Sequence, residues 1–197
     1  MRLVLKIIDI LSLNEKLTIN EISIQLKETY SFVNKVINKL INDNIIKKEV
    51  VGNSHLCTLN LNNEKTQAYL TLNEIGKKER FIEKNQNIQT LISEIVEKIQ
   101  AECLLVFGSY AKGNQTKSSD IDLLIIKNKK DNSINKEINL LETMYNIKIN
   151  QIVINEGILK EMILNNVEIN VGKEALKNHI ILYGSNIFWK LICEAKC

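Results

Sequence analysis

Residues 107–122 read F-G-S-Y-A-K-G-N-Q-T-K-S-S-D-I-D, and the chain continues as L-L-I-I through 126. Just upstream, C-L-L-V-F at 103–107 has the length and the β-branched and aromatic content of a buried strand. Gly108 follows it directly, then Ser109 and a short polar helix through Lys112, ended by the Gly113 loop. The run from Asp120 to Ile126 reads as a second strand, apolar on both faces after its opening alternation. Strands of that kind lie inside a sheet covered by helices. Asp120 and Asp122 are two apart, so both point to one face, with Cα atoms about 6.5–7 Å apart. Carboxylates that close repel unless something positive lies between them. Simple solvation at the strand entrance is one resolution. A hard divalent cation is another, because Mg2+ prefers carboxylate and phosphate oxygens. The glycine turn presents free backbone amides at the start of a helix, which is a cradle for phosphate. Together the two features describe a metal–nucleotide site.

The segment G-S-Y-A-K-G-N-Q-T-K-S-S-D-I-D resembles the signature of the nucleotidyltransferase superfamily that includes DNA polymerase beta, and most closely its minimal nucleotidyltransferases. Gly108, Ser109, Asp120 and Asp122 match that pattern position by position, and Ala111-Lys112-Gly113 and Ser119 match its frequent small–basic–Gly and Ser-Asp elements. The downstream order agrees. A helix around 134–145 leads to the strand I-K-I-N-Q-I-V-I, then a helical N-E-G-I-L-K-E-M-I, and near the end a strand-like L-Y-G before a last helix. The resemblance spans roughly residues 85–195 and implies a small mixed sheet with flanking helices. Tyr183, Phe188 and Trp189 are expected in the core.

The resemblance also implies a mechanism. Gly108 and Ser109 would bind nucleotide phosphates, helped by Lys112 and Ser119, and Asp120 and Asp122 would hold Mg2+ or Mn2+. A nucleoside monophosphate would pass from a nucleoside triphosphate to an acceptor hydroxyl in the two-metal manner. One departure stands out. The third acid of the family belongs on the strand after the helix, where this chain has Ile149-Asn150-Gln151. Asn150 occupies the slot, or Gln151 if the register slips by one. An amide is a neutral ligand and not a base, so turnover is weakened more than nucleotide binding. Glu142 and Glu156 lie outside the strand and are set aside. Three functional expectations follow: an active transferase, a DNA-binding regulator with a nucleotide-sensing transferase domain, and an antitoxin-like protein paired with a small toxin-like partner.

Working toward the N-terminus, Met1 to Ser12 has apolar residues at helical spacing, and T-I-N-E-I-S-I-Q-L is a short second helix capped by Thr18 or Asn20. A third helix follows in Y-S-F-V-N-K-V-I-N-K-L-I, with Val33, Val36, Ile37, Leu40 and Ile41 on one stripe. The opposite face shows Ser31, Asn34, Lys35, Asn38 and Lys39. Two β-rich runs around Gly52-Asn53 then signal a hairpin. This order resembles winged helix-turn-helix domains over about the first 60 residues. That resemblance implies double-stranded DNA binding by the polar face of the third helix, with Lys47, Lys48, Asn53 and His55 on the wing. Such regulators often pair, so a homodimer is expected too. Glu28, Asp43 and Glu49 dilute the positive field.

Residues 63–100 read as a helix near 63–75 and a longer one ending in L-I-S-E-I-V-E-K-I-Q, with Gly76-Lys77-Lys78-Glu79-Arg80 as a hinge or a solvated surface. The expected domains are 1–62, a helical connection at 63–84, and 85–197, in an α+β chain. A length of 197 residues accommodates one domain or two small ones. With 45% hydrophobic and 25% charged residues, a disordered chain is excluded. The net charge of +3 permits nucleic-acid contact without arguing for it, since only clustered charge would. The apolar N-terminus is interrupted by Lys6 and Asp9 and reads as an amphipathic helix rather than a secretory signal. No apolar run has the length of a membrane span, about 18–20 residues, so no membrane partner is expected. Cys57, Cys103, Cys193 and Cys197 lack a metal-binding rhythm. Cys103 is expected in the core, and the cytoplasm is the expected compartment.

Overall fold

The computed structural model describes residues 2–14, 16–52, 54–116, 118–129, 131–164 and 171–196. Asn53 and Cys197 lie outside the described residues. The architecture is α+β, and the chain divides into two compact units at Asn73/Glu74.

The first unit starts with α1 (Arg2–Leu13), β1 (Leu17–Thr18), α2 (Ile19–Leu26) and α3 (Tyr30–Asn42). Of the two candidate caps for α2, Thr18 is the one used. Its hydroxyl accepts from the Glu21 amide at 3.2 Å, and Glu21 Oε2 accepts from the Thr18 amide at 2.7 Å. This reciprocal pair satisfies two otherwise orphaned donors and holds the Glu21 carboxyl below the usual carboxylate range. Along α3, Val33, Ile37 and Leu40 are buried, while Val36 and Ile41 at the stripe's edges are half-buried. The hairpin is β2 (Ile46–Val51) and β3 (Ser54–Leu59). A strand the sequence reading missed, β1, pairs with β3 through Leu17↔Cys57 and Thr18↔Leu56, giving the sheet order β1-β3-β2. Two residues are too few to show an alternation.

The expected hinge at 76–80 is not a break. The helix α4 runs unbroken from Glu64 to Lys84. Lys, Glu and Arg are good helix formers, and a lone interior Gly costs only about 1 kcal/mol. Contacts within the second unit outweigh that cost. Lys77 Nζ lies 3.0 Å from Glu74 Oε1, and Lys78 Nζ donates to the Leu182 carbonyl at 2.6 Å. Glu74 is buried and also sits 3.2 Å from His179 Nε2. Burial opposes ionisation of Glu74, but His179 and Lys77 together overcome it and hold the carboxyl below its ordinary value.

After a short 3-10 turn (Gln86–Ile88), the second unit continues with α5 (Gln89–Lys98), β4 (Cys103–Phe107), α6 (Gly108–Lys112) and β5 (Ile121–Ile126). It is completed by α7 (Ser133–Tyr145), β6 (Ile149–Ile154), α8 (Glu156–Leu164), α9 (Val171–Lys177), β7 (Ile180–Tyr183) and α10 (Ser185–Lys196). The sheet order is β6-β5-β4-β7. β4 is antiparallel to β5 and β7, and β6 is parallel to β5 across the α7 crossover. β5 is central: every residue from Ile121 to Ile126 is fully buried except Asp122. Ile121, Leu123 and Ile125 pack in one cluster with residues of α5 and α7. Cys103 is in the core as expected, and burial pushes its thiol up to about 12.

Phe188 and Trp189 are buried as expected, edge to face with 5.5 Å between centroids. Tyr183 is not; it is 55% exposed. It ends the edge strand β7 and lines a surface cleft with Val96, Ile99 and Ile187, while Ile181 and Leu182 fill the buried positions. The turn after it needs glycine: Gly184 has φ +77°, and a Cβ there would come within 2.2 Å of the Glu102 carbonyl oxygen. No helix among the described residues is long and apolar enough to cross a membrane.

Candidate active site

The turn from β4 into α6 and the start of β5 meet through a single close approach. Gly108 has φ +67°, and a Cβ there would fall 2.1 Å from Asp122 Oδ2. The missing side chain therefore serves twice. It permits the left-handed backbone and leaves room for the carboxylate. Ladder register explains the placement. Asp122 pairs with Phe107 on one side and with Asn150 on the other, so the glycine turn, the acid and the amide fall in one row across three strands.

Asn150 faces the acids. Its Nδ2 donates to Asp122 Oδ1 at 3.1 Å and to Asp120 Oδ2 at 3.3 Å. Gln151, the alternative on a slipped register, points the other way and donates to Asn135 Oδ1 at 3.0 Å on α7. Lys148 Nζ approaches Asp120 Oδ2 at 3.6 Å from the solvent side. Asp120, whose side chain is 35% exposed, and Asp122 are both reachable from water. The two carboxylates thus converge on one exposed spot, with an amide donor and an ammonium relieving their repulsion.

The remaining candidates occupy distinct places. Ser109 follows the cradle glycine at the first turn of α6 and is half-buried. Ser119 Oγ accepts from the Thr116 amide at 2.9 Å and so shapes the loop that delivers Asp120. Lys112 lies at the far end of α6, where its ammonium is 2.6 Å from Glu174 Oε1 on α9. Its charge is therefore already engaged. On α3, Ser31, Lys35, Asn38 and Lys39 are exposed and Asn34 is half-buried, with Asn38 Nδ2 donating to Asn34 Oδ1 at 3.2 Å. Lys47 and Lys48 are exposed on β2.

A cleft of about 800 Å³ opens beside the acids, sharing Ser119 and Asp120 with them. Asn85, Gln115, Glu142 and Lys148 also line it. Gly108, Asp122 and Asn150 are not among its walls, so the cleft adjoins the glycine–acid row rather than containing it. Glu142 was set aside in the sequence because it lies outside the strand. Its place in the last turns of α7 brings Oε1 to 2.7 Å from the Ile149 amide, one residue from Asn150.

The donor set suits a hard divalent ion. Two carboxylates converge, and an amide whose Oδ1 becomes available by rotation completes an all-oxygen group. No cluster of three or more His, Cys, Asp or Glu that could hold a metal ion occurs among the described residues.

A family model described as polymerase beta, nucleotidyltransferase matches residues 86–188. The chain belongs to this family. No curated protein and no solved structure matches it. The match covers the sheet, the glycine turn and both acids, and it supports a nucleotidyltransferase-type function with a nucleotide substrate. Over residues 1–73 it is silent.

Proposed function

We propose that the second unit transfers a nucleoside monophosphate from a nucleoside triphosphate to an acceptor hydroxyl, and that the first unit binds double-stranded DNA. The observation that carries the transfer reading is the contact of Asp122 with Gly108, beside Asp120. It sets a carboxylate pair against a glycine turn at a helix start, where triphosphate oxygens and a cation would meet. A Mg2+ or Mn2+ ion on Asp120 and Asp122 would supply charge neutralisation for the phosphates. The Gly108–Ser109 amides and the Ser109 hydroxyl orient the triphosphate. The acceptor hydroxyl gives its proton to solvent as its oxygen forms a bond to the α-phosphorus, the bond to the bridging oxygen breaks, and pyrophosphate leaves with that electron pair. Alignment of these groups, more than bond chemistry by the protein, sets the rate. Incubation with labelled nucleoside triphosphates and Mg2+ tests it. Label transfer that vanishes in Asp122→Ala is the expected result, and transfer that persists would overturn the assignment.

A second reading is favoured by Asn150, whose amide donates to both acids and cannot take a proton from the acceptor. In that reading the unit binds nucleotide and turns over slowly, acting as a nucleotide-responsive part of a DNA-binding regulator. Metal-dependent nucleotide binding without transfer, together with transfer gained in Asn150→Asp, would select it.

The DNA-binding proposal rests on α3. Val33, Ile37 and Leu40 seat one face of the helix in the first unit, which turns Ser31, Lys35, Asn38 and Lys39 outward. The order of three helices and a hairpin is that of a winged helix-turn-helix, with Lys47 and Lys48 available to phosphates from β2.

A further inference from the structure

One face of α4 leaves apolar side chains in water. At about 3.6 residues per turn, Lys65, Ala68, Leu72, Gly76 and Glu79 share a single stripe of this helix, turned away from the buried Thr66, Leu70 and Glu74. Gly76 is half-buried and the other four are exposed. Leu72 is 40% exposed, and Ile75 beside the stripe is 47% exposed. Lys65 and Glu79 have no ion-pair partner among the described residues.

Gly76 has no use inside the chain that would account for it. A glycine weakens a helix interior, and its helical backbone would suit alanine equally well. The nearest atom that a Cβ there would meet is Arg80 Nη1 at 3.3 Å, the end of a flexible side chain. What the glycine does provide is a thin place on the outward side of α4, where another backbone can approach closely.

The stripe also has a symmetry. Ala68 and Gly76, both small, lie four positions to either side of Leu72. Lys65 and Glu79, of opposite charge, lie seven positions to either side. In a two-fold interface residue i meets j and j meets i, so a surface that pairs with itself needs matching groups at equal distances from the axis.

We propose that a second copy of this chain docks on this face, the two α4 helices antiparallel about a two-fold axis at Leu72. Leu72 then meets its own copy, Ala68 lies level with Gly76 of the partner subunit, and Lys65 faces Glu79 of the partner subunit. Two symmetric ion pairs close the ends of a small apolar centre. A parallel pairing would set lysine against lysine and glutamate against glutamate, so the charges select the antiparallel arrangement. From Lys65 to Glu79 the helix rises about 21 Å. A contact of that length is at the small end for a specific interface, which fits a dimer that forms and dissociates with concentration. Neither nucleotide transfer nor duplex binding is needed for this pairing.

Sedimentation equilibrium of the full chain across a concentration series tests it. The parent chain should pass from monomer to dimer. Leu72→Asp, which sets two carboxylates on the axis, should hold it monomeric. Gly76→Leu fills the space between the helices and should also block pairing, while the thermal midpoint of the chain holds or rises. Lys65→Glu and Glu79→Lys should each weaken the dimer about tenfold, because each turns two symmetric attractions into repulsions. Combined in one chain, the two reversals exchange the charges and should restore the parent's dissociation constant, a rescue that a folding defect would not give. A parent chain that stays monomeric throughout would overturn the proposal. So would a dimer indifferent to both charge reversals, which would put the contact elsewhere on the chain, and so would a double reversal that pairs no better than the single ones.

Discussion

The outward face of α3 and the glycine–acid row of the second unit are both candidate binding surfaces, yet they are built in opposite ways. On α3 the polar residues follow the helical period, and Asn38 Nδ2 donates to Asn34 Oδ1. In the second unit, Gly108 abuts Asp122, Asn150 bridges Asp122 and Asp120, and Lys148 faces Asp120. A surface of the first kind can lose a side chain and keep its shape. In the second kind each residue is a neighbour's support, so a change in one displaces the others. Binding and stability should separate on α3 and move together around Gly108.

The largest expected effect is that of Gly108→Ala. Its Cβ would overlap Asp122 Oδ2, and its left-handed backbone costs a non-glycine residue about 1–2 kcal/mol. Metal-dependent nucleotide binding should be lost and the denaturation midpoint lowered in the same variant. Intact nucleotide binding there would show that the glycine–acid contact is dispensable.

Next in size is the buried Glu74 pair. Glu74→Gln removes the negative charge facing His179 and Lys77 while its amide oxygen still accepts a hydrogen bond, so the expected cost is about 1.5 kcal/mol. The folded-state pKa of Glu74 lies below its ordinary value of 4.5, so the unfolded chain takes up the proton first. The pair's contribution is therefore complete above that ordinary value and is lost as pH falls through the lowered one. Denaturant titrations from neutral to acid pH should show a loss in the parent chain that is smaller in Glu74→Gln.

Lys35→Ala with Lys39→Ala should have a smaller and purely interfacial effect. Duplex DNA affinity should fall and its salt slope flatten by about 1.8, from about 0.9 per phosphate contact, with the thermal midpoint unchanged. A shifted midpoint would mean that α3 resembles the acid site more than its contacts imply. Smallest is Thr18→Ala, which removes the α2 cap and should lower stability by about 1 kcal/mol in a chemical melt, with duplex binding retained.

Much of this was legible because certain residues admit few physical explanations. A strand, a Gly-Ser turn and Asp-x-Asp announced the sheet entrance. Apolar stripes announced α1 to α3, and the family resemblance pointed to Asn150, or to Gln151 on a register slipped by one. What escaped the sequence depended on partners distant in the chain. The run at 76–80 looked like a break until Lys78 met Leu182 and Lys77 met Glu74. Tyr183 looked like core until its strand proved to be an edge. Glu142 looked like an ordinary helix residue until α7 placed it beside Ile149.

Local chemistry in the chain was enough to establish the alternation, the turns and the types of ligand that two acids and a glycine can serve, because these follow from neighbours one to four residues away. Register across β4, β5 and β6 decided that Asn150 rather than Gln151 faces the carboxylates, and it also put Asp122 beside Gly108. Packing decided that α4 runs unbroken and that Lys77, Arg80 and Lys84 share a cleft with Lys112. Those outcomes depend on contacts between residues tens of positions apart, whose energies no local pattern encodes.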